Sequence, residues 1–200
     1  MAEQTVSYRI GDRLYLNITD RCTLACRFCP KTLGSHRVHD FDLTLAQRPS
    51  QAEILVAVDD PRQFSEVVFC GFGEPTLRLQ VLLDTARHIK HNGGRVRINT
   101  DGLANLVHKR NVLPEMADCI DSLSVSMNAQ DEAVYRRHCA PALPGSYAAM
   151  LDFLAAAPAY IGDVTATAID GLDGVDIARC EALADHLGVA FRRRELDVVG

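Results

Sequence analysis

Six short β-rich runs, separated by helical patterns and loops, leave this sequence of 200 residues few folds to adopt. The runs are RLYLNIT (13–19), EVVFCGF (66–72), RVRINT (95–100), CIDSLSVSMN (119–128), DVTATAI (163–169) and VAFRRREL (189–196). Between them, PSQAEILVAVDD (49–60) reads as a helix opened by a capping box of Ser50 and Glu53. In TLRLQVLLDTARHIKHNGG (76–94), Leu79, Leu82, Leu83, Ala86 and Ile89 share one helical face and Gly93 ends it. NLVHKRNVLPEMAD (105–118) is helical with an interruption at Pro114, and helical material also follows Asn128 through about Ala157. DIARCEALADHLG (176–188) puts Ile177, Cys180, Leu183, Ala184 and Leu187 on one face before Gly188. Such alternation predicts βαβ units, a parallel sheet and an α/β class. Six units fall short of a closed eight-unit barrel, so a partial (β/α)6 barrel, open on one side, is the first expectation. A doubly wound sheet is the alternative.

In either architecture the carboxyl ends of the strands form one ligand-binding rim. Here that rim would collect DRCTLAC (20–26), CGFGEPT (70–76), NTDGLAN (99–105), SMNA (126–129) and IDG (169–171). No repeat or linker divides the chain, so residues 1–200 are expected to form a single domain. With 21 basic and 26 acidic residues, the net charge of −5 argues against a broad nucleic-acid surface. The one basic run, Arg192–Arg193–Arg194, reads as a solvated rim, with a ligand clamp as the alternative. The N-terminal stretch lacks the apolar core of a signal peptide and no later run approaches a membrane span, so a cytoplasmic location is expected. Thiols stay reduced there, and the seven cysteines are not expected to form a disulfide framework.

Cys22, Cys26 and Cys29 lie within eight residues, directly after the first strand. Structural zinc takes four protein ligands, usually as two separated pairs, whereas this is one compact triplet. A cubane iron–sulfur cluster usually takes four thiolates, so three would leave one iron with an open coordination position. A zinc site completed by His36 or His39, or three unrelated core cysteines, are the competing readings. Elsewhere on the rim, the glycines of GFGEPT let backbone approach a ligand and Glu74 offers a carboxylate. Asn99, Thr100, Ser126 and Asn128 supply neutral donors and acceptors suited to hydroxyls, with a plain turn role open for Asn99. Asp20, Arg21 and Lys31 flank the triplet and could balance charge or be solvated; Arg136 and Arg137 could meet an anionic group or lie on the surface. Cys119 and Cys180 read as buried hydrophobes, while Cys70 and Cys139 are candidates to approach the site.

The spacing Cys-x3-Cys-x-aromatic-Cys, with Phe28 as the aromatic, resembles the signature of radical S-adenosylmethionine (SAM) enzymes. The resemblance implies a 4Fe–4S cluster on Cys22, Cys26 and Cys29 whose remaining iron is chelated by S-adenosylmethionine. Reductive cleavage of that cofactor would give a 5′-deoxyadenosyl radical that abstracts hydrogen from a substrate, with an electron donor such as flavodoxin or ferredoxin. GFGEPT resembles the family's Gly-Gly-Glu-Pro motif, Phe72 replacing the first glycine, so Gly71, Phe72, Gly73 and Glu74 inherit contact with the methionine ammonium. Ser126 and Asn128 inherit the ribose, Asn99 a cofactor contact, and Phe28 a place near the adenine. The runs YRIGDRLYLNITDRCTLACRFCPK, FCGFGEPTLRL, RVRINTDGLANLVH, DSLSVSMNAQDEAVYRRHC and the terminal VVG resemble the TatD-associated radical SAM subgroup. That implies a TatD-type hydrolase as a functional partner. A small-molecule or nucleotide substrate is expected ahead of a protein one; the alternatives are an activase acting on a partner protein and a non-catalytic cluster- or metal-binding regulatory module.

Overall fold

The computed structural model describes residues 4–196. Strand β1 (Ser7–Ile10) turns back antiparallel onto β2 (Arg13–Leu16), and a short hairpin of β3 (Arg37–Val38) and β4 (Phe41–Asp42) follows. Then come α1 (Gln51–Val58), β5 (Glu66–Phe69), α2 (Leu79–His91), β6 (Val96–Thr100), α3 (Ala104–His108) and α4 (Leu113–Met116). The chain continues through β7 (Ser122–Ser126), α5 (Glu132–Cys139), α6 (Ser146–Ala156), β8 (Asp163–Asp170), α7 (Ile177–His186) and β9 (Ala190–Glu195).

The main sheet has the order β1-β2-β5-β6-β7-β8-β9, and every pairing from β2 onward is parallel. All six expected strands are therefore present. Each strand lies beside its predecessor, without the reversal of order that defines a doubly wound sheet. The two edges, β1 and β9, do not pair with each other, which is the arrangement of a partial barrel with an open side.

Period-two alternation explains which face each strand buries. Leu14, Leu16, Val67, Phe69, Val96, Ile98, Leu123, Val125, Val164 and Ala166 point to the helices and form the main core. The expected face of α2 is buried there in full, and in α7 Cys180 and Ala184 are buried while Ile177, Leu183 and Leu187 pack beside them. Ser50 caps α1 with the reciprocal Glu53 bond, as the sequence pattern requires. Gly93 and Gly188 both take positive φ just past their helices.

The intervening strand residues face the opposite, concave side. There Tyr8, Tyr15, Val38, Leu43 and Val68 make a second apolar cluster, and the β3–β4 hairpin covers the β1–β2 end. Pro114 does not interrupt a helix. The break falls at Lys109, which is left-handed at φ 54°, and Pro114 occupies the first turn of α4, where its missing N–H has no partner to lose. Among the described residues no helix is long and apolar enough to cross a membrane.

Candidate functional site

The chain leaving β2 packs directly against the chain leaving β5. Glu74 N–H donates to the Arg21 carbonyl at 2.7 Å. A Cβ on Gly73 would lie 2.3 Å from the Thr19 carbonyl oxygen, and one on Gly71 2.4 Å from Asn17 Oδ1. These glycines thus serve the approach of one rim loop to the other, a reason the motif alone does not reveal. Asn17 is buried, its amide nitrogen donating to the Thr5 and Leu43 carbonyls at 3.0 Å each, while its Oδ1 has no partner among the described residues.

Glu74 is buried rather than displayed at the mouth. Its Oε1 accepts from Thr76 N–H (3.0 Å), Thr76 Oγ1 (2.7 Å) and Thr100 Oγ1 (2.8 Å), and its Oε2 from Asp101 N–H (2.7 Å). Burial, and then the Asp101 carboxyl beside it, push Glu74 up to about 8, against the donors that favour its charged form. Asp101 is raised as well, chiefly by burial. Two carboxyls in one dry site resist holding two negative charges, so the pair favours a bound proton or a cation. Asp101 accepts a hydrogen bond from Thr23 Oγ1 and another from Leu103 N–H at 2.9 Å. It thereby ties the third strand's end to the cysteine loop.

The cysteine loop contains no helix or strand between residues 20 and 36, apart from an isolated bridge of Leu24 to Pro141. Main-chain bonds clamp it to the end of α5: Ala25 N–H to the Cys139 carbonyl (3.1 Å), Arg27 N–H to the His138 carbonyl (2.8 Å), and Ala142 N–H to the Thr23 carbonyl (3.0 Å). Cys22 is exposed, with Cys26 and Cys29 half-buried. Burial, and then the Asp101 carboxyl, push the Cys22 thiol up to about 12. Cys26 is raised further, first by a hydrogen bond with Cys139, then by burial and by the repulsion of Cys139, Cys22 and Cys29. The three thiols are therefore electrostatic neighbours, and a cation beside them would favour the thiolate forms of Cys22 and Cys26. As they stand, no group of three or more His, Cys, Asp or Glu side chains among the described residues converges at metal-binding distance.

The other expected residues divide. Phe28 packs partly against the main core, and Phe72 joins the concave cluster with the His36 ring 6.1 Å away, edge-on. His39 is exposed, in the turn of the β3–β4 hairpin. Ser126 is half-buried at the end of β7. Asn128, left-handed at φ 60°, is buried; its Nδ2 reaches Ser126 O (3.4 Å) and Cys139 Sγ (3.7 Å), and its Oδ1 has no partner among the described residues. Asn99 lies in β6 rather than in a turn, accepting from Arg97 (3.1 Å) and lowering the Cys70 thiol against the effect of burial.

Cys119 and Cys180 are buried, and Cys139 lies against the triplet. Sequence reasoning missed Thr23, Thr76 and Asp101, whose roles depend on contacts across the rim. The basic run is largely solvent-exposed, as expected, with its side chains divided between the two faces of β9. Arg193 pairs with Asp170 at 2.6 Å, but Arg192 faces the concave side, donating to Ser124 Oγ at 3.2 Å, and Arg194 follows it two residues on.

Comparison with known proteins bears on the fold and the family. The chain is 27% identical over 170 residues to the "Probable dual-specificity RNA methyltransferase RlmN" of Synechococcus sp., covering 74% of this chain and 44% of that one. It is 35% identical over 92 residues to the "Tungsten-containing aldehyde ferredoxin oxidoreductase cofactor-modifying protein" of Pyrococcus furiosus, 44% of this chain and 23% of that one. The chain thus spans less than half the length of these curated relatives. Among solved structures, Streptococcus suis SuiB bound to precursor peptide SuiA superposes with a TM-score of 0.69 at 14% identity, covering 94% of this chain and 40% of that one. TYW1 with a lysine–pyruvate adduct bound gives a TM-score of 0.67 at 15% identity, covering 94% and 66%. The profile described as "Radical SAM superfamily" matches residues 16–187, from the last residue of β2 to just past α7, and on that match the chain belongs to the Radical SAM superfamily.

Proposed function

We propose that this chain is an enzyme core that holds a 4Fe–4S cluster on Cys22, Cys26 and Cys29 and S-adenosylmethionine beside it, and removes a hydrogen atom from a substrate lying on the concave side. The observation that carries this reading is the joining of the cysteine loop to the buried Glu74–Asp101 pair through Thr23 and Arg21. The residues fit the groups. Three mutually repelling soft thiols suit a cationic iron–sulfur unit. The paired carboxyls suit a cofactor bearing an ammonium and a sulfonium, and the unpartnered Asn128 Oδ1 offers an acceptor nearby.

When bound and reduced, these groups supply one-electron cleavage of S-adenosylmethionine and a hydrogen-abstracting radical. The chain's own residues would bind and orient them. Gly71, Phe72 and Gly73 present main chain to the methionine ammonium, and Glu74 holds that main chain in place while lending it negative potential. Ser126 and Asn128 take the ribose hydroxyls, Asn99 faces the reacting side, and Phe28 lies next to the adenine.

The sequence similarity to the TatD-associated subgroup supports a finer placement and a TatD-type hydrolase as functional partner; its terminal VVG lies outside the described residues. We read residues 1–200 as one domain working in the cytoplasm, reduced by a flavodoxin or ferredoxin. A small molecule or nucleotide is the favoured substrate. The peptide bound to SuiB keeps a polypeptide substrate as the second reading, since a barrel open at one side admits a loop.

The test is anaerobic reconstitution with iron, sulfide, dithionite and S-adenosylmethionine. Release of 5′-deoxyadenosine is expected; iron loading with no release, while a control enzyme turns over, would overturn the proposal. Deuterium transfer into 5′-deoxyadenosine from labelled metabolites, compared with a labelled protein fraction, separates the two substrate classes.

A further inference from the structure

Beyond the apolar cluster at its β1–β2 end, the concave face is polar, and its charge is uneven. A cleft of about 210 Å³ opens there, lined by Arg13, Arg97 and Arg192 with Glu66, Ser124 and Thr165, and with Asp163 at its edge. Glu66 is already engaged: it takes Arg97 at 2.8 Å, Arg13 at 3.6 Å and a hydrogen bond from Ser122 at 3.2 Å. Arg192 has one bond among the described residues, to the neutral Ser124 hydroxyl, and no carboxylate within ion-pair distance. Arg194 stands on the same face. The guanidiniums feel one another: the charge on Arg192 is disfavoured by burial and then by Arg97 and Arg194. The Cys70 thiol above them is raised by burial and drawn back by Asn99, Arg97 and Arg194. A chain of net charge −5 thus turns three guanidiniums, against the carboxylates of Glu66 and Asp163, toward one hollow, with the charge of Arg194 felt from nearby.

We infer that this hollow anchors an oxyanion group of the substrate, a carboxylate or a phosphate, between Arg192 and Arg97, with the Ser124 and Thr165 hydroxyls as added donors and Arg194 adding positive charge nearby. A guanidinium offers a planar fork that matches such a group with two parallel N–H bonds. The position suits a handle rather than a reacting centre. The cleft lies toward the amino ends of the strands, where Arg13, Glu66, Ser122 and Asp163 are the first residues of β2, β5, β7 and β8, and Ser124 to Ser122 span roughly 7 to 13 Å below the rim at the usual strand rise. An anchored anion would leave the rest of the molecule pointing toward the cysteine loop. The matched family region ends at residue 187, before β9 begins, so Arg192 and Arg194 are contributed by a part of this chain that the family match does not cover.

This inference rests on the proposed reading that substrate lies on the concave side, and its test is independent of turnover. The reconstituted chain is titrated calorimetrically with inorganic phosphate in one arm and malonate in the other, at about 0.15 M salt. Saturable binding of at least one anion is expected, and the arm that binds identifies the group. Arg192→Gln should weaken it roughly tenfold or more, the effect of losing a charge-assisted pair. Ser124→Asp, which sets a carboxylate beside Arg192, should abolish it even if Arg192→Gln folds poorly. Arg62→Gln, at an exposed arginine paired with Asp60, should change it less than about twofold. Failure of both anions to bind saturably, or equal binding by Arg192→Gln and Ser124→Asp, overturns the site. Anion binding without 5′-deoxyadenosine release overturns the proposed reaction and leaves the site; release without binding does the reverse.

Discussion

Glu74 accepts four hydrogen bonds at once, and the two glycines before it in GFGEPT press against the backbone and side chain of the chain leaving β2. Gly73→Ala therefore drives a methyl into the Thr19 and Arg21 carbonyls, which cannot swing aside as a flexible side chain could. A loss of about 1–3 kcal/mol is expected, read as a lower melting temperature of the cluster-free chain. The carboxyl pair makes a second prediction at this scale. Glu74 binds its proton more tightly folded than unfolded, so its contribution is complete at low pH and is lost as pH rises from about 4.5 through about 8. The unfolding free energy of the cluster-free chain should fall between pH 5.5 and 8, by an amount on the order of a few kcal/mol and with a matching drop in the urea midpoint, and Glu74→Gln should flatten the dependence. A midpoint unchanged or higher at pH 8 would contradict it. The position of Glu74 was legible in its motif. Its partners were not, because Thr100, Asp101 and Thr23 come from other strand ends and only folding brings them together.

Among the elements, those with a strong period were readable and those too short to show one were not. Helix α2 buries the face its leucines mark, and β7 alternates Leu123 and Val125 against Ser124 and Ser126. Strand β1 and the two-residue strands β3 and β4 carry no periodic signal, and tertiary pairing alone defines them. In β9 the three consecutive arginines masked a strand's alternation, although period two sends Arg192 and Arg194 one way and Arg193 the other. Pro114 reads as a breaker in sequence and acts as a first-turn residue in the fold. The α1 cap tests whether local signals carry weight here. Ser50→Ala removes the acceptor for Glu53 N–H and should cost about 1 kcal/mol in denaturant unfolding. An unchanged midpoint would mean that packing of Ile54 and Val58 alone holds the helix.

For the molecule as a whole, sequential strand order separates a one-sided barrel from a doubly wound sheet, and the separation has a chemical consequence. Helices cover one face only, so the other is free to be polar and to receive a ligand below the rim. The cysteine loop closes one end of that rim, held to α5 by main-chain bonds. The triplet was visible in the sequence and Cys139 was a candidate to approach it, but which of the three thiols it would meet was not legible, since 110 residues separate it from Cys29 along the chain. Its nearness sharpens the central claim, which is that three cysteines ligate and one iron position stays available. The direct measurement is the electron paramagnetic resonance spectrum of the dithionite-reduced, reconstituted chain before and after adding S-adenosylmethionine. The spectrum of the unaltered chain and of Cys139→Ala should both shift on addition, and Cys26→Ala should show no cluster signal. A signal that S-adenosylmethionine leaves unmoved, or one that survives Cys26→Ala and disappears with Cys139→Ala, would contradict the account.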